Sequence, residues 1–247
     1  MTEIPEDHPR AASLRTRHRI EEGVELGITS RQGLVAEGRG EAFDYLLGEE
    51  TIPSADAAER AAAAQLLLAD HPVLSVNGNV AALVPEEMVE LAEAVDADLE
   101  VNLFNRTDER MRAIADHLRE HGAEDVKGLA ADARIPGLDH ERAKVDDDGI
   151  YAADVVLVPL EDGDRAEALA EMGKTEIVVD LNPMSRSPQT AAIPIVDNII
   201  RAIPNITAHA RELAGASEEA LEEIVAEFDR EAALEEAERA IRRGDLD

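Results

Sequence analysis

Short apolar runs separated by polar turns recur between residues 72 and 196, and they set the architecture. Val73-Leu74-Ser75-Val76, Val155-Val156-Leu157-Val158 and Ile177-Val178-Val179-Asp180 have the length and β-branched content of buried strands. Residues 99–104 and 193–196 read as two more strands, and 126–129 as a shorter one. Helical signals fill the intervals. Pro85-Glu86-Glu87 puts proline in a first turn and acids near the positive end, starting a helix that runs to about Val95. Thr107 caps a helix reaching to Gly122, and another spans 162–172. Strands alternating with helices of this length predict an α/β fold, a doubly wound, Rossmann-like, mostly parallel sheet.

Helices flank this core. His8-Pro9 opens a first helix with Leu14, Ile20 and Val24 on one face. Gly27, Gly33, Gly38, Gly40 and Gly48 then divide the following stretch into short pieces, and Ser54 is the expected N-cap of a helix over 55–69. Residues 131–153 read as a long irregular segment, either functional or a mobile acidic loop. Two helices end the chain, the second over 217–243 with Ser217 as its cap. The expected division is an N-terminal helical segment, 1–71, that contributes to the site, an α/β core, 72–213, and an acidic C-terminal helix, 214–247.

Composition sharpens this picture. Hydrophobic residues make up 45% of the 247, enough for a sizeable core, while aromatics at 2% leave that core to aliphatic side chains. Asp and Glu number 55 against 24 Lys and Arg, a formal charge of -31, and lysine occurs only at Lys127, Lys144 and Lys174. Such a chain repels itself in dilute buffer, whereas molar salt shrinks the Debye length to ~3 Å. The composition therefore reads as halophilic. It also excludes nucleic acid as a partner, because phosphate neutralisation needs a basic surface. Cysteine is absent, which removes disulfide and thiolate chemistry. No run approaches the ~20 apolar residues of a membrane span, and the first ten residues lack the apolar stretch of a signal peptide. A cytoplasmic protein is expected.

In sheets of this kind ligands bind outside the carboxyl ends of the strands. Polar groups gather at those ends. Asn77-Gly78-Asn79 is either an ordinary tight turn or a phosphate- or carboxylate-binding loop of exposed backbone N–H groups. Asn105-Arg106 and Pro159-Leu160-Glu161-Asp162 follow two other strands. Asp180-Leu181-Asn182, with Arg186 and Ser187 close behind, offers a carboxylate and an amide for ribose hydroxyls, adenine or a hydrated metal, and a cation for phosphate. Arg17 and Arg39 belong to an arginine-rich N-terminal segment, and bidentate guanidinium forks match phosphate oxygens. Arg134 and Lys144, in the irregular stretch, are further anion candidates. His117 and His121 stand at i, i+4 but lack a third ligand, and read as surface histidines.

Residues 29–34, 38–48, 75–85, 132–146, 159–164 and 180–190 together resemble the archaeal phosphopantothenate synthetase family, the 4-phosphopantoate–β-alanine ligases of coenzyme A biosynthesis. The resemblance extends over residues 8–206. It implies a homodimer that condenses 4-phosphopantoate with β-alanine while ATP becomes AMP and pyrophosphate through an acyl-adenylate, with Mg2+ carried by the ATP and no protein side chain assigned to the metal. It also implies ATP contacts from Arg17, Arg39, Asp180, Leu181, Asn182, Arg186, Ser187, Asn198 and Ile199. Asn77, Asn79, Arg134 and Lys144 are the candidates for holding phosphopantoate, and Lys144 is the candidate catalytic group. Two alternatives stand beside this reading: a nicotinamide-dependent oxidoreductase, which the missing three-glycine spacing after the first strand disfavours, and a non-catalytic nucleotide-binding or dimerisation module. One expectation follows from charge alone. The melting temperature should fall as KCl is lowered from molar concentration to dilute buffer, and a salt-independent value would remove the halophilic reading.

Overall fold

The computed structural model describes residues 10–159 and 162–244 together with Pro5 and His8. Pro9, read above as a helix opening, and Leu160 and Glu161, read among the strand-end groups, lie outside the described residues. Three helices come first: α1 (Ala11–Glu25), α2 (Arg31–Leu47) and α3 (Pro53–Leu68). The alternating region follows with β1 (Pro72–Val76), α4 (Gly78–Leu83), α5 (Pro85–Val95), β2 (Asp98–Val101), α6 (Asp108–Glu120), β3 (Ala133–Arg134), β4 (Lys144–Val145), β5 (Val155–Pro159), α7 (Gly163–Glu171), β6 (Thr175–Val179), α8 (Arg186–Thr190) and β7 (Ile193–Ile195). The helices α9 (Ile199–Leu213), α10 (Glu218–Glu227) and α11 (Arg230–Arg243) close the chain.

The five long strands form one parallel sheet in the order β2-β1-β5-β6-β7. Every residue of β1 and β5 is buried, as continuous Val/Leu runs covered on both faces require. Alternation along β1 splits the core in two. Leu74 and Val76 face an aliphatic cluster built with α3, α5, α6 and α9, while Val73 faces Val156, Val158 and Leu169 on the other side. On α3, Ala61, Ala62, Ala63 and Ala64 are all fully buried, so a helix without large side chains packs close to α9. From β1 the chain moves outward to β2 and then crosses back to β5 on the opposite side. A topological switch point therefore lies between β1 and β5, and a crevice opens there at the carboxyl ends. Asn77 bridges it: its Nδ2 donates to the Pro159 carbonyl at 3.0 Å.

Several elements depart from the sequence reading, each for a physical reason. The second strand stops at Val101, because Asn102 turns its buried amide onto the carbonyls of Arg142 and Lys144. Residues 126–129 add only one parallel bridge, from Lys127 to Glu100. The stretch 131–153 is neither irregular throughout nor a loose acidic loop. It contains the β3–β4 antiparallel pair and a turn of 3-10 helix, Glu141–Ala143. Buried Glu100 pins it by accepting the backbone N–H groups of Asp146 at 3.1 Å and Ile150 at 2.6 Å. Ser54 is not the cap of α3: Ile52 holds that position and Pro53 is the first helical residue. The terminal stretch is two helices rather than one, broken at Phe228-Asp229, where Asp229 caps α11 by accepting from the Ala232 N–H. Among the described residues three helices, not two, follow the last strand.

The largest departure is α2. Gly33, Gly38 and Gly40 do not divide it; all three lie inside one helix of 17 residues, capped by Ser30. Gly27 and Gly48, by contrast, have positive φ of 74° and 83° and do end the neighbouring helices. Inside α2 the glycines serve close approach. A Cβ at Gly33 would overlap Asn79 Oδ1 and Thr29 Cγ2, and one at Gly40 would come within 3.1 Å of Asn198 Nδ2, whereas one at Gly38 would meet nothing within 4 Å. Alanine normally stabilises a helix interior relative to glycine by about 0.5–1 kcal/mol. Gly38→Ala should therefore raise unfolding stability by that amount, while Gly33→Ala should lower it by about 1–3 kcal/mol through overpacking. Denaturant midpoints at matched salt decide it, and a shift of the same sign in both variants would contradict this placement of α2.

Candidate active site

The carboxyl ends of the strands face the underside of α2, and a continuous groove runs between them. Its narrow inner part is lined by Ala36, Glu37 and Gly40 from α2, Asn79 after β1, Pro159 at the end of β5, Asp180 and Leu181 after β6, and Asp197, Asn198 and Ile199 after β7. Toward β2 it continues into a recess lined by Asn77, Asn79, Asn102, Arg39, Arg110 and Arg142 among others. Toward α11 it opens along Arg39, Phe43, Asp180, Leu181, Asn182 and Met184. Arg39 stands where these two outer branches meet α2.

The β6 end is held rigidly. Asp180 is nearly buried; its Oδ1 accepts the Asn182 N–H at 3.1 Å and its Oδ2 accepts the Ser185 hydroxyl at 2.8 Å. The β7 end is held by a buried polar network. Arg201 donates to Asp44 at 2.8 Å and to Asp197 at 2.6 Å. Asp44 in turn accepts Asn198 Nδ2 at 3.1 Å, and Asp197 accepts the Thr51 hydroxyl at 2.6 Å. Asn205 continues the chain of contacts to Thr51 at 3.1 Å and to Glu59 at 2.9 Å. Burial raises the Asp44 carboxyl above its ordinary range even with Arg201 beside it. Glu59, fully buried with Asp197 nearby, is pushed up to about 9 and so enters the network as a neutral acid. Glu37, on the wall of the inner groove, is pushed up to about 7 by burial and by its neighbours Glu41 and Asp44. It can take or release a proton near neutral pH.

The structure gathers some of the sequence-derived candidates and leaves others apart. Arg39, Asp180, Leu181, Asn182, Asn198, Ile199, Asn77 and Asn79 line the groove or its branches. Asn77 and Asn79 spend their amides internally: Asn77 Oδ1 caps α4, and Asn79 Nδ2 donates to the Gly33 carbonyl at 3.0 Å. Ser187 is buried in α8. Arg186 lies on the surface, paired with Asp164 at 2.7 Å. Arg17 is also exposed, in a two-point pair with Glu41 that Arg10 shares. Arg134 bonds the Leu138 carbonyl at 3.2 Å and Lys144 pairs with Glu141 at 2.8 Å; neither lines the groove. Residues that the sequence did not single out for the site are Glu37, Asn102, Arg110 and Arg142 within the groove, and Asp44, Asp197 and Arg201 beneath it. They come from helices and loops far apart in the chain, so no local motif marks them.

Elsewhere, the His117 and His121 rings meet at a tilt of 59° with centroids 4.4 Å apart, and burial lowers the His117 pKa. Among the described residues no group of three or more His, Asp or Glu side chains is placed to hold a metal ion, and no helix is long and apolar enough to cross a membrane.

A parallel sheet with a switch point at β1 and β5, crossed by a polar groove at the strand ends, defines a Rossmann-like α/β protein with a small-molecule site. Within that class the chain belongs to the family described as phosphopantothenate/pantothenate synthetase, whose model matches residues 54–244. It is 59% identical over 230 residues to a 4-phosphopantoate–β-alanine ligase of Thermococcus kodakarensis, covering 93% of this chain and 88% of the relative. It is 54% identical over 237 residues to a protein of the same name from Methanosarcina mazei, covering 96% and 93%. A third such ligase, from Methanospirillum hungatei, is 54% identical over 210 residues, covering 85% and 86%. The family is one of enzymes, and the oxidoreductase alternative is not favoured.

Proposed function

We propose that this enzyme joins 4-phosphopantoate to β-alanine, using ATP, to give 4'-phosphopantothenate, AMP and pyrophosphate in coenzyme A biosynthesis. The observation that carries the proposal is family membership together with near full-length identity to ligases of that name. A carboxylate is a poor acyl donor. In this reading its oxygen attacks the α-phosphorus of ATP, the bond to pyrophosphate breaks, and an acyl-adenylate forms. The neutral amine of β-alanine then attacks the acyl carbon, AMP leaves, and the amine gives up its proton. The chain's part is mainly positioning and charge neutralisation.

The groove supports the reading by its layout. Asp180, Leu181, Asn182, Asn198 and Ile199 form the nucleotide end, and Arg39 is placed at its mouth for the triphosphate. Arg17, Arg186 and Ser187 lie outside it; Arg17 and Arg186 would need to leave Glu41 and Asp164 to reach a phosphate. Mg2+ fits this site as an ion carried in on the triphosphate, where it neutralises phosphate charge; the buried Asp180 carboxylate is already engaged by Ser185 and Asn182. The N-terminal segment belongs with the core as part of the same folded unit, because α2 forms one wall of the groove.

The active form in this proposal is a homodimer. Val35, Tyr45 and Leu46 on α2, and Met184 near Leu46, are 79%, 60%, 43% and 63% exposed in a chain with 55 acidic residues. Apolar exposure of that kind on an otherwise acidic protein fits a partner surface. Sedimentation in molar salt should give twice the mass of one chain. In the same buffer, pyrophosphate release should require ATP and 4-phosphopantoate, and release beyond one equivalent per active site should require β-alanine as well. Release without the acid, or sustained release without the amine, would overturn the ligase assignment.

A further inference from the structure

The branch of the groove toward β2 departs from the charge of the whole chain. With 55 acidic residues against 24 basic ones, a recess of this size would normally carry several carboxylates. Among the described residues that line it there is no Asp or Glu, yet Arg39, Arg110 and Arg142 all do so, with four asparagines beside them. Arg110 is the more telling of the inner two. Its Nη1 donates to the Asn105 carbonyl at 2.7 Å and its Nη2 to the Ile28 carbonyl at 3.0 Å. These two bonds fix the fork, leave three of its five N–H donors over, and supply no negative charge. No described carboxylate pairs with it, and burial alone lowers its pKa. Its Nε is enclosed with no protein acceptor. Removing a guanidinium from water without a counter-charge is unfavourable, and in this chain a counter-ion from the protein would have been easy to supply.

Neighbouring residues hold this arrangement in place. Asn102, fully buried at the end of β2, accepts Arg142 Nε at 3.1 Å and donates to the Arg142 carbonyl at 3.2 Å, which fixes the second arginine from both sides. Gly78 leaves the room that Arg110 occupies, since a Cβ there would come within 2.9 Å of Arg110 Nη2 and 2.5 Å of the Ile28 carbonyl.

Resting on the ligase reading above, we infer that this recess seats the phosphate group of the acid substrate, with Arg110 and Arg142 as its charge partners, and so selects the phosphorylated acid over the unphosphorylated one. The direction follows from the layout. The inner groove along β6 and β7 meets the recess at Ala36 and Asn79, so an acid with its phosphate at Arg110 directs its carboxylate toward the nucleotide end. Arg134 and Lys144 are not needed for this role.

Titration calorimetry on the full chain in molar salt tests the inference without relying on turnover. The probes are 4-phosphopantoate, pantoate and a non-hydrolysable ATP analogue. In Arg110→Gln the Kd for 4-phosphopantoate should rise about 10- to 150-fold, the span of one or two lost charge-assisted hydrogen bonds, while the Kd values for the ATP analogue and for pantoate hold. Arg110→Lys, which keeps the charge and loses the fork, should fall between the two and guards against a misfolded glutamine variant. Weaker binding of the ATP analogue instead would place the triphosphate in the recess, and unchanged 4-phosphopantoate affinity in both variants would remove Arg110 from the site. Either result overturns the inference. Failure of the ligase reading is distinguishable, because it appears as absent pyrophosphate release in the parent enzyme whatever the calorimetry gives.

Discussion

One buried guanidinium holds the site together. Arg201 on α9 lies between Asp44 of α2 and Asp197 at the end of β7, and each acid passes the constraint on: Asp44 to the Asn198 amide, Asp197 to Thr51. Without Arg201 two carboxylates would remain buried side by side, a loss on the order of 3–5 kcal/mol. The pair therefore decides where α2 sits. Because α2 is the roof of the groove, it also decides whether a groove exists. The glycines complete the fit, with Gly33 and Gly40 bringing the helix backbone down onto Asn79 and Asn198 where any side chain would hold it off.

Charge is distributed with the same selectivity. The surface carries an excess of acids that only high salt screens well, and several exposed arginines are committed to them, as Arg17 is to Glu41 and Arg211 to Glu90. In the recess toward β2 the pattern reverses. Arg39, Arg110 and Arg142 face a recess without described acidic residues, while Glu37 and the buried Glu59 are shifted by desolvation toward their neutral forms. A pocket meant for anionic substrates in an anionic protein needs this local exclusion of carboxylates, since fields from nearby charges act most strongly where water is scarce.

Much of the fold was legible in the chain. Continuous Val/Ile/Leu runs marked β1, β5 and β6, and proline, threonine and glycine signals placed α5 and α6, because those cues are local. The errors fell where tertiary packing overrides local preference. Three glycines in seventeen residues looked like breaks in α2, yet two of them, Gly33 and Gly40, serve contacts with Asn79 and Asn198 that sequence proximity cannot reveal. The segment 131–153 looked irregular because its order comes from Glu100, 46 and 50 residues before the Asp146 and Ile150 N–H groups it accepts. The same division holds for the site. Asp180 and Asn182 stand out as polar groups at a strand end and Asn198 follows only from the family resemblance, but Arg110 looks like one more helical arginine until Gly78 and Ile28 are beside it.

The central claim is that this groove activates an acid by transferring it to the α-phosphorus of ATP. The most direct measurement labels both carboxylate oxygens of 4-phosphopantoate with ¹⁸O and follows the label after one turnover with β-alanine. The account predicts one ¹⁸O in AMP and one in the new amide. Label in inorganic phosphate, with ADP as the nucleotide product, would contradict it.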